Sequence, residues 1–330
     1  MQLNKNSVNQ VTISEAQAGQ RIDNFLLKHL KGVPKSHVYR LLRSGQVRVN
    51  SGRKKPSYKL ECGDKVRIPP VRISENQQAS IPDAVLTLLR DAIIFENDDI
   101  IAINKPSGIA VHKGSGLQFG VIEAFRQIRP EQELELVHRL DRETSGCLLL
   151  SKNRKILAEL HELLRHEKIT HIKKTYLALL DGAWASGTWP AGTANDGKLT
   201  IDIGISKIRR GGEHIMQADK TGDRAISHFQ PLEIFDTDGG HPCSLMQITI
   251  DTGRTHQIRV HAQHCGFPII GDSKYGNKES NRYFREKFSD AGLKRLFLHA
   301  KQLYLPLAAP ISLEAPLSDD LQRVLDYLRE

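Results

Sequence analysis

Apolar residues recur at helical spacing in residues 21–31, RIDNFLLKHLK, where Ile22, Phe25, Leu26 and Leu30 form one stripe. Gly32 and Pro34 are expected to end that helix. Ser36 is placed to cap a second one, SHVYRLLRSG, stopped by Gly45. The period then falls to two. QVRVN puts Val47 and Val49 on one face of a strand, and residues 59–68, KLECGDKVRI, predict a hairpin with Gly63-Asp64 at its turn. Residues 69–84 mix Pro, Ser, Gln and Asn with few apolar positions and read as a linker. Beyond Ala92 the pattern is mostly β, with strands expected at 93–95, 100–103, 146–151, 174–180, 225–235 and 243–250. Helices are fewer: 121–128; 155–166, with Ile156, Leu157, Leu160, Leu163 and Leu164 on one stripe; and 319–328, with Ser318 as its cap. Strands and helices do not alternate as in a doubly wound sheet. The expected fold is therefore α+β. It comprises a small α/β domain at residues 1–72, a linker at 73–91, and a mainly antiparallel mixed-sheet domain at 92–330.

Charge sharpens that division. The net charge is +9, and residues 1–72 carry 15 Lys and Arg against 4 Asp and Glu, while the rest of the chain holds 32 against 34. A small basic module joined to a near-neutral body reads as a nucleic-acid grip attached to something else. Lys35, Arg40, Arg43, Arg48 and Lys54 are its candidate RNA contacts. The hydrophobic fraction of 39% fits a packed globular chain rather than a disordered one. Cys62, Cys147, Cys243 and Cys265 are widely spaced, with no C-x-x-C pair to suggest a zinc ribbon or a dithiol redox site. Sparse cysteines, the absence of an apolar signal core in MQLNKNSVNQ, and the lack of a membrane-length apolar run lead us to expect a cytoplasmic protein without a membrane partner.

Four segments carry candidate chemistry. In VHRLDRETSGCLLLS, residues 137–151, a lone Asp141 follows a strand-like VHRL and is flanked by Arg139 and Arg142. Guanidinium groups favour the ionised carboxylate and attract a phosphate backbone, and an ionised carboxylate can act as nucleophile or base. INKPSGIAVHKGSG, residues 103–116, is a glycine-rich loop without the G-x-x-x-x-G-K-[ST] spacing of a nucleotide-binding P-loop; Lys105 and His112 in it are further candidate RNA contacts. KKTYLALLDG, residues 173–182, places Tyr176 on one strand face with Lys174 and Ala178. TGRTHQIRVHAQHCGFPIIGDSKYG, residues 252–276, breaks a strand at Gly253 and starts a helix carrying Ile258, Arg259, His261 and Ala262. The spacing of His256, His261 and His264 argues against a metal site, since it lacks H-E-x-x-H, and no metal ligand is assigned.

These strings bear a resemblance. HRLDRETSG matches the HRLD-x-x-TSG signature of the RluA-type pseudouridine synthase family, and NKPSG followed by VHKGSG resembles the opening of that family's catalytic domain. K-x-Y-x-A-L, T-G-R-T-H-Q-I-R-V-H and G-D-x-x-Y-G also match. Residues 19–68 resemble the αL-type RNA-binding domain that also occurs in a small-subunit ribosomal protein. The resemblance implies an isomerase that converts uridine to pseudouridine without a cofactor. Asp141 would be the catalytic carboxylate, Tyr176 would stack on the target base, and Arg259 would pair with the aspartate. The αL module, the HKGSG loop and the FLHA segment at 297–300 resemble most closely the members acting on large-subunit (23S) ribosomal RNA, so that RNA, modified at several uridines by a monomeric enzyme, is the expected substrate. A synthase acting on tRNA, or a non-catalytic rRNA-binding protein, are the alternatives. Residues 182–224 fit the resemblance least and are expected to form loops between strands.

Overall fold

The computed structural model describes residues 7–30, 33, 35–71, 81–114, 117–165, 172–184, 193–195, 198–210, 212–237, 239–287 and 293–330. Gly32, Pro34, Gly116, His166 and linker residues 72–80, on which some of the expectations above fall, lie outside them. The chain forms two compact units, Met1–Ser80 and Ile81–Glu330.

The first unit begins with strand β1 (Asn9–Thr12), then helices α1 (Ile22–His29) and α2 (Lys35–Arg43), and strands β2 (Arg48–Val49) and β3 (Lys65–Ile68). The apolar stripe of α1 packs with Val38, Leu41 and Leu42 of α2 and with Val47, Val49, Val66 and Ile68 into one core. The helix α2 starts at Lys35, so Ser36 lies in its first turn rather than before it. The hairpin expected at 59–68 does not form. Its second half, β3, pairs instead with β1 and β2. Leu60 spends its backbone on Gly19 and Gln20, and the Asp64 carboxylate accepts from the Glu61 amide at 2.9 Å, which closes the Gly63 turn tightly. The distant β1, with only Val11 to advertise it, was not visible as a strand in the local pattern.

The second unit opens with helix α3 (Asp83–Asp91), inside the stretch expected as linker. Leu89 is fully buried, and Val85 and Leu86 pack on the main core, so the apolar run AVLTLL at 84–89 belongs to the second unit and not to a linker. There follow β4 (Ile93–Glu96), β5 (Ile100–Lys105), α4 (Val121–Ile128), β6 (Glu135–Leu136), β7 (Ser145–Ser151), α5 (Arg154–Arg165) and β8 (Lys173–Asp181). Next come β9 (Thr193–Asn195), β10 (Lys198–Asp202), β11 (Ile205–Arg210), β12 (Glu213–Ala218), β13 (Ile226–Phe235), β14 (Cys243–Ile250) and α6 (Gln257–His264). The chain closes with α7 (Lys278–Lys287), β15 (Leu298–Leu305), β16 (Ile311–Glu314) and α8 (Asp319–Arg329).

One 11-stranded sheet runs β4-β5-β7-β15-β8-β14-β13-β10-β9, with β6 added on β7 and β16 on β15. Among the described strands only the β7–β15 pair is parallel, so the sheet is mixed and mainly antiparallel, as expected. The helices α4 and α5 bury Phe125 and Leu160 against it, each contributing about 1.5–3 kcal/mol relative to exposure. Within residues 182–224, expected as loops, β9 and β10 extend the sheet while β11 and β12 form a separate hairpin; the alternation of Leu199, Ile201, Ile203 and Ile205 is a period-two signal that the loop expectation passes over. Ser318 does precede α8, but its hydroxyl accepts from Arg295 at 2.6 Å instead of capping the helix.

Candidate active site

The site is built where β7 leaves a turn beside β15. At Gly146 the backbone has φ +108°, and a Cβ there would overlap the Ala300 carbonyl of β15, so only glycine lets these strands pair so closely at the mouth of the turn. The segment before it is not the strand expected of VHRL: β6 stops at Leu136, and residues 137–144 run irregularly. The Val137 amide still donates to the Leu149 carbonyl at 3.1 Å, and the Thr144 amide closes a turn on the Asp141 carbonyl at 3.2 Å. His138 Nε2 accepts from the Leu149 amide at 3.2 Å, and burial pushes this ring down to about 3, so it is neutral. The glycine-rich loop clasps the turn from the other side. The Gly108 amide donates to the Arg142 carbonyl at 2.8 Å, Ser107 Oγ to the Glu143 carbonyl at 2.6 Å, and Arg142 Nε to the Gly108 carbonyl at 3.0 Å.

Lys105 completes this clasp, which corrects its assignment as an RNA contact. Its side chain is fully buried, and Nζ donates to the Pro106, Ile109 and Arg142 carbonyls at 2.8, 2.9 and 3.2 Å. Burial and the Arg295 charge push its pKa down to about 7 against the pull of Asp141, while three carbonyl acceptors favour the ammonium form. A buried lysine tied to three carbonyls holds two loops together and cannot reach a phosphate. His112 is exposed and outside the Asp141 cavity, and Arg142 is exposed beside it.

Asp141, Tyr176, Arg139 and Arg259 line one small cavity of about 70 Å³. Arg259 Nη1 lies 3.3 Å from Asp141 Oδ2. The same guanidinium makes a two-pronged pair with Asp272, Nε to Oδ2 at 2.7 Å and Nη2 to Oδ1 at 2.8 Å, and its Nη2 is 3.6 Å from Glu143. Burial works against the charge of Arg259, but the Asp272 bonds and the Asp141 charge outweigh it and raise its pKa. Burial likewise acts to raise Asp272, yet the Arg259 bonds win and hold it ionised below the usual carboxylate range. Arg259 is thus clamped on one side and offered to Asp141 on the other.

The start of α6 is equally fixed. Thr252 Oγ1 donates to Gln257 Oε1 at 2.7 Å, and Gln257 Nε2 donates to the Ile226 carbonyl and to Ser227 Oγ at 2.8 and 2.9 Å. His261 is fully buried against Ser227 and the Ile203 carbonyl, and burial pushes it down to about 4. Its role is packing within the fold. Tyr176 is buried on β8, and burial, then the Asp141 charge, raise its phenol pKa, so it is protonated. Sequence reasoning named neither Asp272, Tyr275, Thr252 nor Gln257 as functional. All four are fixed positions of the matched G-D-x-x-Y-G and T-G-R-T-H-Q strings, which was the available signal.

Beside this cavity lies a cleft of about 630 Å³ that shares Arg139, Tyr176, Ile250, Gly253 and Arg254 with it and adds His161, Arg165 and Lys174. In the first unit, Lys35, Arg40, Arg43 and Arg48 are exposed, while Lys54 is half-buried with Nζ 4.3 Å from the Tyr58 ring. A further basic groove there is lined by Arg48, Lys65 and Arg67, of which the last two were not singled out from sequence.

Residues 99–264 match the RNA pseudouridylate synthase family, and residues 20–66 match the S4 domain family. The chain is 45% identical to ribosomal large subunit pseudouridine synthase C of Pasteurella multocida (strain Pm70), over 98% of this chain and 95% of that protein. It is 45% identical to the protein of the same name in Escherichia coli (strain K12), over 98% and 97%. The solved structure of human RNA pseudouridylate synthase domain containing 4 superposes with a TM-score of 0.56 at 23% identity, over 75% of this chain and 96% of that one, which is a likeness of fold.

Proposed function

The chain belongs to the RNA pseudouridylate synthase family, and from that premise we propose that it isomerises uridines of large-subunit ribosomal RNA, with Asp141 as the catalytic carboxylate. The observation that carries this reading is a single carboxylate, partly exposed in a cavity, held by a buried arginine that is itself clamped by Asp272. A carboxylate so placed can attack the ribose C1′, breaking the N1–C1′ bond and leaving again when C5 attacks C1′, or it can take a ribose proton as that bond breaks and the ribose regains one as C5 joins; on either route the uracil turns, C5 bonds to C1′, the C5 hydrogen leaves as a proton and N1 takes one up. No group transfer to another molecule is involved, and the residues present supply the chemistry.

The target base must leave its helix, at a cost of a few kcal/mol. The cavity at Asp141 is narrow, whereas the adjoining cleft carries Arg139, Arg165, Lys174 and Arg254 along its wall, a lining suited to the ribose-phosphate strand around an extruded nucleotide. Arg139, exposed two residues before Asp141, fits the space a flipped base leaves behind. The S4 domain adds Lys35, Arg40, Arg43, Arg48 and Lys54 as a sequence-independent grip.

Purified protein incubated with large-subunit rRNA and with tRNA is expected to place pseudouridine at more than one uridine of the rRNA, mapped by carbodiimide modification and primer extension. Modification of tRNA alone would move the substrate while leaving the chemistry, and none in either RNA would leave an RNA-binding protein without catalysis. Tyr176→Leu removes the aromatic face on which uracil would stack, worth roughly 1–3 kcal/mol. Its single-turnover rate should fall about 10- to 100-fold with RNA affinity kept, whereas Tyr176→Phe keeps the face and should retain most activity if stacking is the role. Turnover of Tyr176→Leu equal to wild type would take Tyr176 out of the site.

A further inference from the structure

The Asp141 cavity contains one titratable ring that the chemistry above does not use. His256 immediately precedes α6 with φ +55° and ψ +22°, in the left-handed region. That conformation costs a residue with a side chain roughly 1–2 kcal/mol relative to the right-handed form and persists only where its surroundings dictate it. Here they do. His256 Nδ1 lies 2.7 Å from Tyr275 Oη, and the Tyr275 hydroxyl oxygen also accepts from the Met216 amide of β12 at 3.0 Å. With that amide donating to the oxygen, the phenol hydrogen is free to go to Nδ1, and in that arrangement the proton of the neutral ring sits on Nε2. Nε2 is the nitrogen that faces Asp141, 3.9 Å from Oδ2.

Among the described residues, both side-chain approaches to this carboxylate, by Arg259 and by His256, fall on Oδ2. We propose that His256 is a positioning residue for Asp141: with Arg259 it pins Oδ2, so that Oδ1 is the oxygen presented to the ribose. It has this role only if Asp141 is the catalytic carboxylate, as proposed above. At 3.9 Å the contact is longer than a hydrogen bond, and such contacts tighten when substrate closes a site. The groups facing the ring are Asp141, Asp272, Arg259, Lys274 and Tyr275. Burial, with Arg259 and Lys274, lowers its pKa from the ordinary histidine value against the pull of Asp141, so the ring is neutral at neutral pH. A neutral donor orients the carboxylate without adding a second cation that would blunt its reactivity.

The test compares His256→Gln, whose amide nitrogen can occupy the place of Nε2, with His256→Asn and His256→Ala, which put nothing there. Single-turnover rates on an rRNA fragment with enzyme in excess are expected to fall about 10- to 100-fold for the Asn and Ala variants and less than about 5-fold for Gln. RNA affinity should stay within about 2-fold throughout, which a grip residue would not allow. Tyr275→Phe should add no further loss in the His256→Ala background, since the tyrosine acts through the ring. A His256→Ala rate within about 2-fold of wild type, a loss carried by affinity, or a Gln variant as slow as Ala would each overturn the proposal. Activity in Asp141→Asn would instead overturn the reading of the aspartate, so the two failures are separable.

Discussion

Asp141→Asn is expected to abolish isomerisation while leaving the protein folded and bound to RNA. The amide keeps the shape of the carboxylate but loses its charge, its basicity and its nucleophilicity. A loss of at least about 1,000-fold corresponds to roughly 4 kcal/mol of transition-state stabilisation. The fold should tolerate it because Arg259 is not left alone: its two shortest bonds, at 2.7 and 2.8 Å, go to Asp272, and the Asp141 contact at 3.3 Å is the weaker one. Asp141 is also partly exposed, so water can replace it at the guanidinium. Tritium release from C5-labelled uridine in an rRNA transcript reads the chemistry, and filter binding reads the affinity. Turnover near the wild-type rate would remove Asp141 from the mechanism.

Asp272→Asn is expected to do the opposite kind of damage. Its side chain is fully inaccessible, and it accepts both prongs of Arg259 together with the Lys274 and Tyr275 amides. The neutral amide turns one N–H toward guanidinium N–H groups and leaves a buried cation short of its partner. Breaking such a pair from one side costs about 3–5 kcal/mol. In a unit of this size that lowers the unfolding midpoint by about 6–20 °C. Turnover should fall with it, because Arg259 loses the clamp that aims it at Asp141. The pH dependence follows from the sign of the shift. The folded-state pKa of Asp272 is depressed, so the stabilisation is complete at neutral pH and is lost only as pH falls through and below the ordinary carboxylate range near 4. Thermal unfolding of wild type and variant at pH 7, and again stepwise below pH 4, checks both points. A midpoint for Asp272→Asn equal to wild type at pH 7 would show that the pair does not carry this part of the fold.

These two carboxylates mark the line between what local sequence tells and what it leaves open. The chain by itself determined the elements whose apolar period is long and uninterrupted. Residues 121–128 and 243–250 form α4 and β14 with the expected boundaries, and α1, α5, β8 and α8 lie within a residue or two of expectation at each end. It also determined the basic character of the first unit, because charge counts need no partner. The strings around Asp141, Tyr176 and Arg259 located three side chains that the fold brings into one cavity.

Only the tertiary structure decided how those side chains are held. Asp141 and Arg259 are 118 residues apart, and the β7–β15 pairing that frames them joins positions 154 residues apart, separations at which local periodicity carries no information. The predicted hairpin at 59–68 failed for the same reason: β3 found better partners in β1 and β2 than in the residues just before it. Lys105 shows how position overrides residue type. A lysine in a glycine-rich loop was a candidate RNA contact, yet the fold seals it among three carbonyls, where its ammonium ties the loop to the turn that presents Asp141. A side chain's hydrogen-bonding capacity is set by its chemistry, but whether that capacity is spent on RNA or on the protein's own backbone depends on burial, which only long-range packing decides.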